Sequence, residues 1–163
     1  MIRRRKLCSW SVASIALVSI ADKVHAQLGA EWLIEPVERH QSSRAFEALQ
    51  LSRAIIKESD VVGTNPLIEI VTPGANQRIV SPVDFSIRFQ SPTAPIDEGS
   101  IRIYYGYMNI DITGRLRSFG ARIDSDGIEL VGAPLQPDSY RVSVEVANVR
   151  GDRARRTVWF HVD

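Results

Sequence analysis

The chain has 163 residues, 44% of them apolar, with a formal net charge of +1 and a single cysteine. That is room for one domain plus an extra segment, with enough apolar material for a packed core. Residues 1–26 hold five of the 20 basic groups and one of the 19 acids, leaving −3 on the rest; such a chain has no general attraction to phosphate backbones, so nucleic acid is not an expected partner.

The first segment has the grammar of a secretory leader. Arg3-Arg4-Arg5-Lys6 is a positive start, Ser9 to Ala21 carries no charge, and Val24-His25-Ala26 offers a cleavage site before Gln27. The uncharged run is shorter than the roughly 20 apolar residues of a membrane span. The prediction is a signal peptide over 1–26, cut after Ala26, and a periplasmic or secreted protein with no transmembrane segment in its mature form. The paired arginines leave both general and twin-arginine export open. Cys8, the only cysteine, lies in this leader. The mature chain would then have no disulfide, thiolate metal site or cysteine nucleophile.

Residues 27–65 are expected to be a linker carrying one amphipathic helix. Pro36 breaks any helix near it, and Trp32, Leu33 and Ile34 show no period. From Gln41 to Glu58 helix formers dominate, with no Gly or Pro, and Ser42 or Ser43 can cap the start. Ala45, Ala48, Leu49, Ser52, Ile55 and Ile56 recur at three- and four-residue spacing, which predicts a helix over about 42–58 with one apolar stripe. The breakers Gly63-Thr64-Asn65-Pro66 close the segment.

Residues 66–163 carry about seven strand patterns separated by turn signals. Leu67 to Val71 is the first and Arg78 to Pro82 a short edge piece. Val83, Phe85, Ile87 and Phe89 alternate with polar residues. Pro92 to Gly99 reads as a loop, Ile101, Ile103 and Tyr105 as a strand, and Asp111 to Leu116 as a strand end entering a short helical turn. Arg122 to Asp124 and Gly127 to Val131 follow. Last comes a hairpin: Tyr140, Val142, Val144 and Val146, a turn at Arg150-Gly151-Asp152-Arg153, then Val158, Phe160 and Val162. The pattern predicts an all-β, antiparallel sandwich.

At Leu135-Gln136-Pro137-Asp138-Ser139-Tyr140 the chain resembles the tyrosine corner of immunoglobulin-like and fibronectin type III domains. The early Ile70-Val71-Thr72-Pro73 and Ser81-Pro82-Val83 and the valine-rich final pair resemble bacterial immunoglobulin-like modules of exported proteins. The resemblance covers about 66–163. It implies that Leu135, Pro137 and Tyr140 are structural, with the Tyr140 hydroxyl bonded to upstream backbone. The cysteine pair and the core tryptophan of antibody domains are missing, and the fold says little about activity.

Candidate sites are few. No Gly-x-Ser-x-Gly elbow, phosphate loop or His-rich metal spacing occurs, and His40 and His161 have no pattern that pairs them. Asp124-Ser125-Asp126-Gly127-Ile128-Glu129 resembles the opening of a calcium loop, but the acid expected at its twelfth position is missing. A polar Asp-Gly turn between strands is the plainer explanation, so no metal site is expected. Arg102, Tyr104 and Tyr107 form an aromatic strand and turn, and Trp159 faces outward beside His161 by alternation. Such residues can anchor an interface or stack on sugars, or simply cover a sheet. The expectation is a non-catalytic, cofactor-free exported module that binds another envelope or extracellular protein. The alternative is a carbohydrate-binding module using the exposed aromatics. An envelope-polymer enzyme stands third, since no paired carboxylates are evident.

Overall fold

The structure is a computed structural model that describes residues 32–51, 61–62 and 65–163. The predicted leader and cleavage site lie outside these residues. Residues 31–163 form one compact unit.

Among the described residues ten strands and two helices follow in order: α1 Pro36–Leu51, β1 Val61–Val62, β2 Leu67–Thr72, β3 Gln77–Ile79, β4 Val83–Gln90, β5 Ile96–Tyr105, β6 Ile110–Asp111, α2 Thr113–Ser118, β7 Arg122–Ile123, β8 Gly127–Ala133, β9 Asp138–Asn148 and β10 Arg153–Val162. They make an all-β sandwich of two sheets. One runs β2-β4-β8-β7; the other runs β1-β10-β9-β5-β6, with β3 also on β10. Every pairing is antiparallel except that of β3 with β10. β1 and β3 therefore share the outer edge of β10, one beside Arg155–Arg156 and the other beside Phe160–Val162.

Alternation decides which side chains enter the core. On β4, Val83, Phe85, Ile87 and Phe89 are buried and the residues between them are not. Tyr140, Val142, Val144 and Val146 of β9 and Val158, Phe160 and Val162 of β10 face them. Burying each such side chain contributes about 1.5–3 kcal/mol. Phe160 stacks on Tyr140 with ring centroids 5.4 Å apart and meets Phe85 edge-on at 6.0 Å. The β9–β10 turn uses Gly151 at φ +87°, a left-handed backbone that only glycine adopts without strain.

The corner from β8 to β9 carries the chain from one sheet to the other. Tyr140 is 1% exposed, and its hydroxyl donates to the Gln136 carbonyl at 2.7 Å. Leu135 is buried beside it, while Pro137 is exposed. Burial pushes the Tyr140 hydroxyl pKa up to about 12.

Two expected boundaries differ. Ile96 to Gly99, read as loop because it is polar and ends in glycine, opens β5 instead. Ile96 and Asp97 pair with Asn148 and Ala147 ahead of a register shift. Helix α1 begins at Pro36, not near residue 42. Proline lacks only an N–H that the first helical turn leaves unbonded anyway, so it starts a helix as readily as it breaks one. The Glu38 carboxylate accepts the Glu35 N–H at 2.9 Å, which closes that end. The predicted helical residues 52–58 lie outside the described residues.

The segment before α1, expected as linker, is part of the core. Leu33 and Ile34 are 1% and 2% exposed, and the Leu33 N–H donates to the Pro134 carbonyl at 3.1 Å. Along the helix the face toward the sandwich is Glu38, Ser42, Ala45 and Leu49, at helical spacing. Ala45 and Leu49 belong to the predicted stripe, whereas Ala48 is exposed. Polar contacts add to the attachment. Arg115 of α2 grips both oxygens of Glu38, at 2.6 and 2.8 Å, and donates to the Leu33 carbonyl at 2.9 Å. Arg39 bonds the side chains of Gln136 and Asp138. Ser42 Oγ accepts the Tyr107 N–H at 3.3 Å beside Gly106. A Cβ on Gly106 would stand 2.5 Å from that oxygen, so the helix can come this close only to glycine.

Candidate functional site

The outer face of the larger sheet carries the aromatic and basic residues singled out in the sequence. The register places Arg141 opposite Trp159, Ser143 opposite Tyr104 and Thr157, and Glu145 opposite Arg102 and Arg155. Alternation points all of them away from the core, yet Arg141, Ser143 and Thr157 are buried. Ser143 and Thr157 share a hydroxyl–hydroxyl hydrogen bond of 2.9 Å.

Arg141 is the centre of this face. Its guanidinium lies over the Tyr107 ring at 5.2 Å and the Trp159 ring at 5.8 Å, and donates to the Gly106 carbonyl at 2.8 Å. Tyr107 also stacks on Phe46 of α1, with centroids 5.0 Å apart. Helix, turn and sheet thus enclose a groove of about 680 Å³, lined among others by Phe46, Glu47, Asn76, Tyr107, Trp159 and His161. Its size is that of a small-ligand site.

Of the four predicted binding residues, Tyr107 and Trp159 come together in this groove. Arg102 and Tyr104 do not. They line a smaller hollow of about 220 Å³ with Glu145 and Arg153. Tyr104 there has the Arg155 guanidinium over its ring at 5.7 Å. Arg102 is turned to the carbonyls of Gly99 and Ile101, both at 2.8 Å. Sequence spacing could not separate the pairs, because Gly106 turns the chain between Tyr104 and Tyr107.

The predicted calcium residues form a hairpin turn. Asp124 Oδ1 accepts the N–H groups of Asp126 and Gly127, at 3.0 and 3.2 Å. Arg122 then sits on Asp124 at 3.4 Å and on Glu129 at 3.2 Å. A guanidinium thus pairs with two of the three carboxylates that the calcium reading needs. Glu98 reaches this turn from β5 and accepts the Ser125 N–H at 3.0 Å, a link the sequence could not supply. Among the described residues no group of three or more His, Cys, Asp or Glu side chains is placed to hold a metal ion.

One constellation was missed by sequence reasoning. Ser139 and His161 are register partners, and Asp163 follows His161 on the same face. Ser139 Oγ lies 3.1 Å from His161 Nδ1, and His161 Nε2 lies 3.3 Å from Asp163. Their meeting depends on the hairpin register, which local spacing does not give. The chemistry of an acyl-transfer relay needs more. The Ser139 N–H is spent on its neighbour Asp138 at 2.7 Å, and Asp163 is shared with Arg78 at 3.1 Å. Ser139 is exposed, as is Asp163, so the low-dielectric setting that gives such relays their strength is missing.

Among the described residues the shortest salt bridge, Arg115 to Glu38 at 2.6 Å, is the one that seats α1. Arg115, by its hydrogen bonds first and its charge as well, holds the Glu38 carboxyl below the usual carboxylate range despite partial burial. Among the described residues no helix is long and apolar enough to cross a membrane.

No protein-family model and no curated protein matches the chain. Among solved structures the chain is similar to the crystal structure of CopC from Methylosinus trichosporium OB3b. The identity is 19% and the TM-score 0.41, over 60% of this chain and 94% of that one. It is also similar to an engineered protein, at 13% identity and a TM-score of 0.41, over 63% of this chain and 21% of that one.

Proposed function

We propose that the protein is a non-catalytic, exported binding module of immunoglobulin-like build, which meets its partner through the groove between α1 and the larger sheet. The groove is the observation that carries the reading: aromatic walls and polar rim on one sheet face, walled by a helix. The immunoglobulin-like build is supported by the strand order, β2-β4-β8-β7 against β10-β9-β5-β6, and by the tyrosine bonded across its corner. Export is supported by the leader grammar of residues 1–26. The partners that an exported module of this kind would meet are envelope or extracellular proteins and the glycans beside them.

Photo-crosslinking from position 46, at the groove wall, tests the reading in an envelope extract. The expected result is a discrete adduct that disappears in Trp159→Ala. Absence of any groove-dependent adduct or ligand counts against it. The non-catalytic part has its own test. A fluorophosphonate probe should leave Ser139 unlabelled, and labelling that requires His161 would overturn that part.

A further inference from the structure

The groove offers hydrogen-bonding groups that the fold itself does not use. The Glu47 carboxylate, the Asn76 amide and the Ser43 hydroxyl line it, and none of the three makes a side-chain hydrogen bond among the described residues. The same holds for the Trp159 indole N–H and the Tyr107 hydroxyl. Asn76 is held by its backbone instead, with φ +59° and its N–H donated to the Trp159 carbonyl at 2.7 Å. That bond fixes the Asn76 backbone next to the tryptophan.

From these groups we infer that the groove binds a neutral saccharide, one ring packed on Trp159 with its hydroxyls on Glu47, Asn76 and Ser43. The inference rests on the binding-module reading and names the ligand class of the same site. Three chemistries compete for such a groove. An anion would meet the Glu47 carboxylate, while Asp138 is already paired with Arg39. It would also find the two guanidinium groups already engaged, Arg141 with Gly106 and Arg78 with Asp163. A wholly apolar ligand would strip water from Glu47, Asn76 and Ser43 and return no partner, at a cost of about 1–3 kcal/mol for each group so buried. A sugar satisfies both halves. Its C–H face covers the aromatic surface, and adjacent hydroxyls both donate to a carboxylate and exchange bonds with an amide. Tyr107 is the lesser platform: Arg141 lies over both rings, and Phe46 stacks on Tyr107 besides.

The test uses the purified protein on a printed array of neutral and acidic oligosaccharides, followed by calorimetric titration with the best neutral oligosaccharide. The expected result is binding to neutral glycans that weakens roughly tenfold or more in both Trp159→Ala and Glu47→Gln. Glu47 is exposed on the helix, so its variant separates ligand contact from folding. A blank array, hits confined to acidic glycans, or neutral hits indifferent to Glu47→Gln would overturn the assignment. A blank array with a groove-dependent protein adduct from position 46 overturns the saccharide and leaves the binding module. A blank array with no such adduct overturns both.

Discussion

The β9–β10 hairpin and the N-terminal arm, residues 32–51, belong to the same compact unit but are held in it by different physics. The hairpin presents a row of valines and aromatics to the opposite sheet, and its backbone bonds a neighbour from Arg153↔Ala147 to Val162↔Asp138. The arm inserts Leu33 and Ile34 into the core and is otherwise pinned by Glu38–Arg115, by Arg39 to the tyrosine corner and by Ser42 at the Gly106 turn. Many small apolar contributions make the hairpin insensitive to any one polar loss. The arm depends on two plugs and a few directional bonds, so single substitutions should separate the two regions.

The largest separation is expected from Leu33→Ala. Emptying a 1%-exposed leucine site should cost about 3 kcal/mol in denaturant unfolding. A loss below about 1 kcal/mol would mean that the site is shallow. Next comes Glu38→Gln, which removes a charge-assisted pair whose side chains are 11% and 29% exposed. Its cost at neutral pH should be about 2 kcal/mol. The pH dependence has a definite sign. Because folding lowers the Glu38 pKa, its contribution is complete above the unfolded carboxylate value, near 4.3 for a free glutamate, and fades as the pH falls through the folded one. The gap between wild type and Glu38→Gln should therefore be constant from neutral pH to about 5 and close in more acidic solution. A gap that widened on acidification would exclude the assignment. Tyr140→Phe should cost about 1 kcal/mol, measured the same way, by deleting the bond to Gln136. Val131, 84% exposed on the other sheet, sets the floor: Val131→Thr should stay within about 0.5 kcal/mol.

The same contrast explains what could be read from the sequence. Strands announce themselves because every second residue faces a dry interior, and Val83 to Phe89 or Tyr140 to Val146 need no tertiary knowledge to place. The short α2 was also visible as a helical turn. The arm was not, because Leu33-Ile34 has no period and its attachments come from Arg115 and Asp138, far along the chain. Pro36 reads locally as a stop, whereas its position makes it a start. On the outer face, Trp159 and Tyr107 were legible as candidates but their meeting was not. Arg141 occupies a nominally outward position that is buried under aromatics, and Ser139, His161 and Asp163 converge only through the hairpin register. Residues that act through contacts across the sheet leave little trace in local spacing.

Native-state hydrogen exchange measures the central claim most directly, that the arm is part of the sandwich and fixes the groove wall. The Leu33 amide, bonded to Pro134, should exchange through the same cooperative opening as hairpin amides such as that of Val144. If Leu33 and the first turn of α1 exchange at the rate of an unprotected peptide while the hairpin stays protected, the arm is not part of the fold and the groove has no wall.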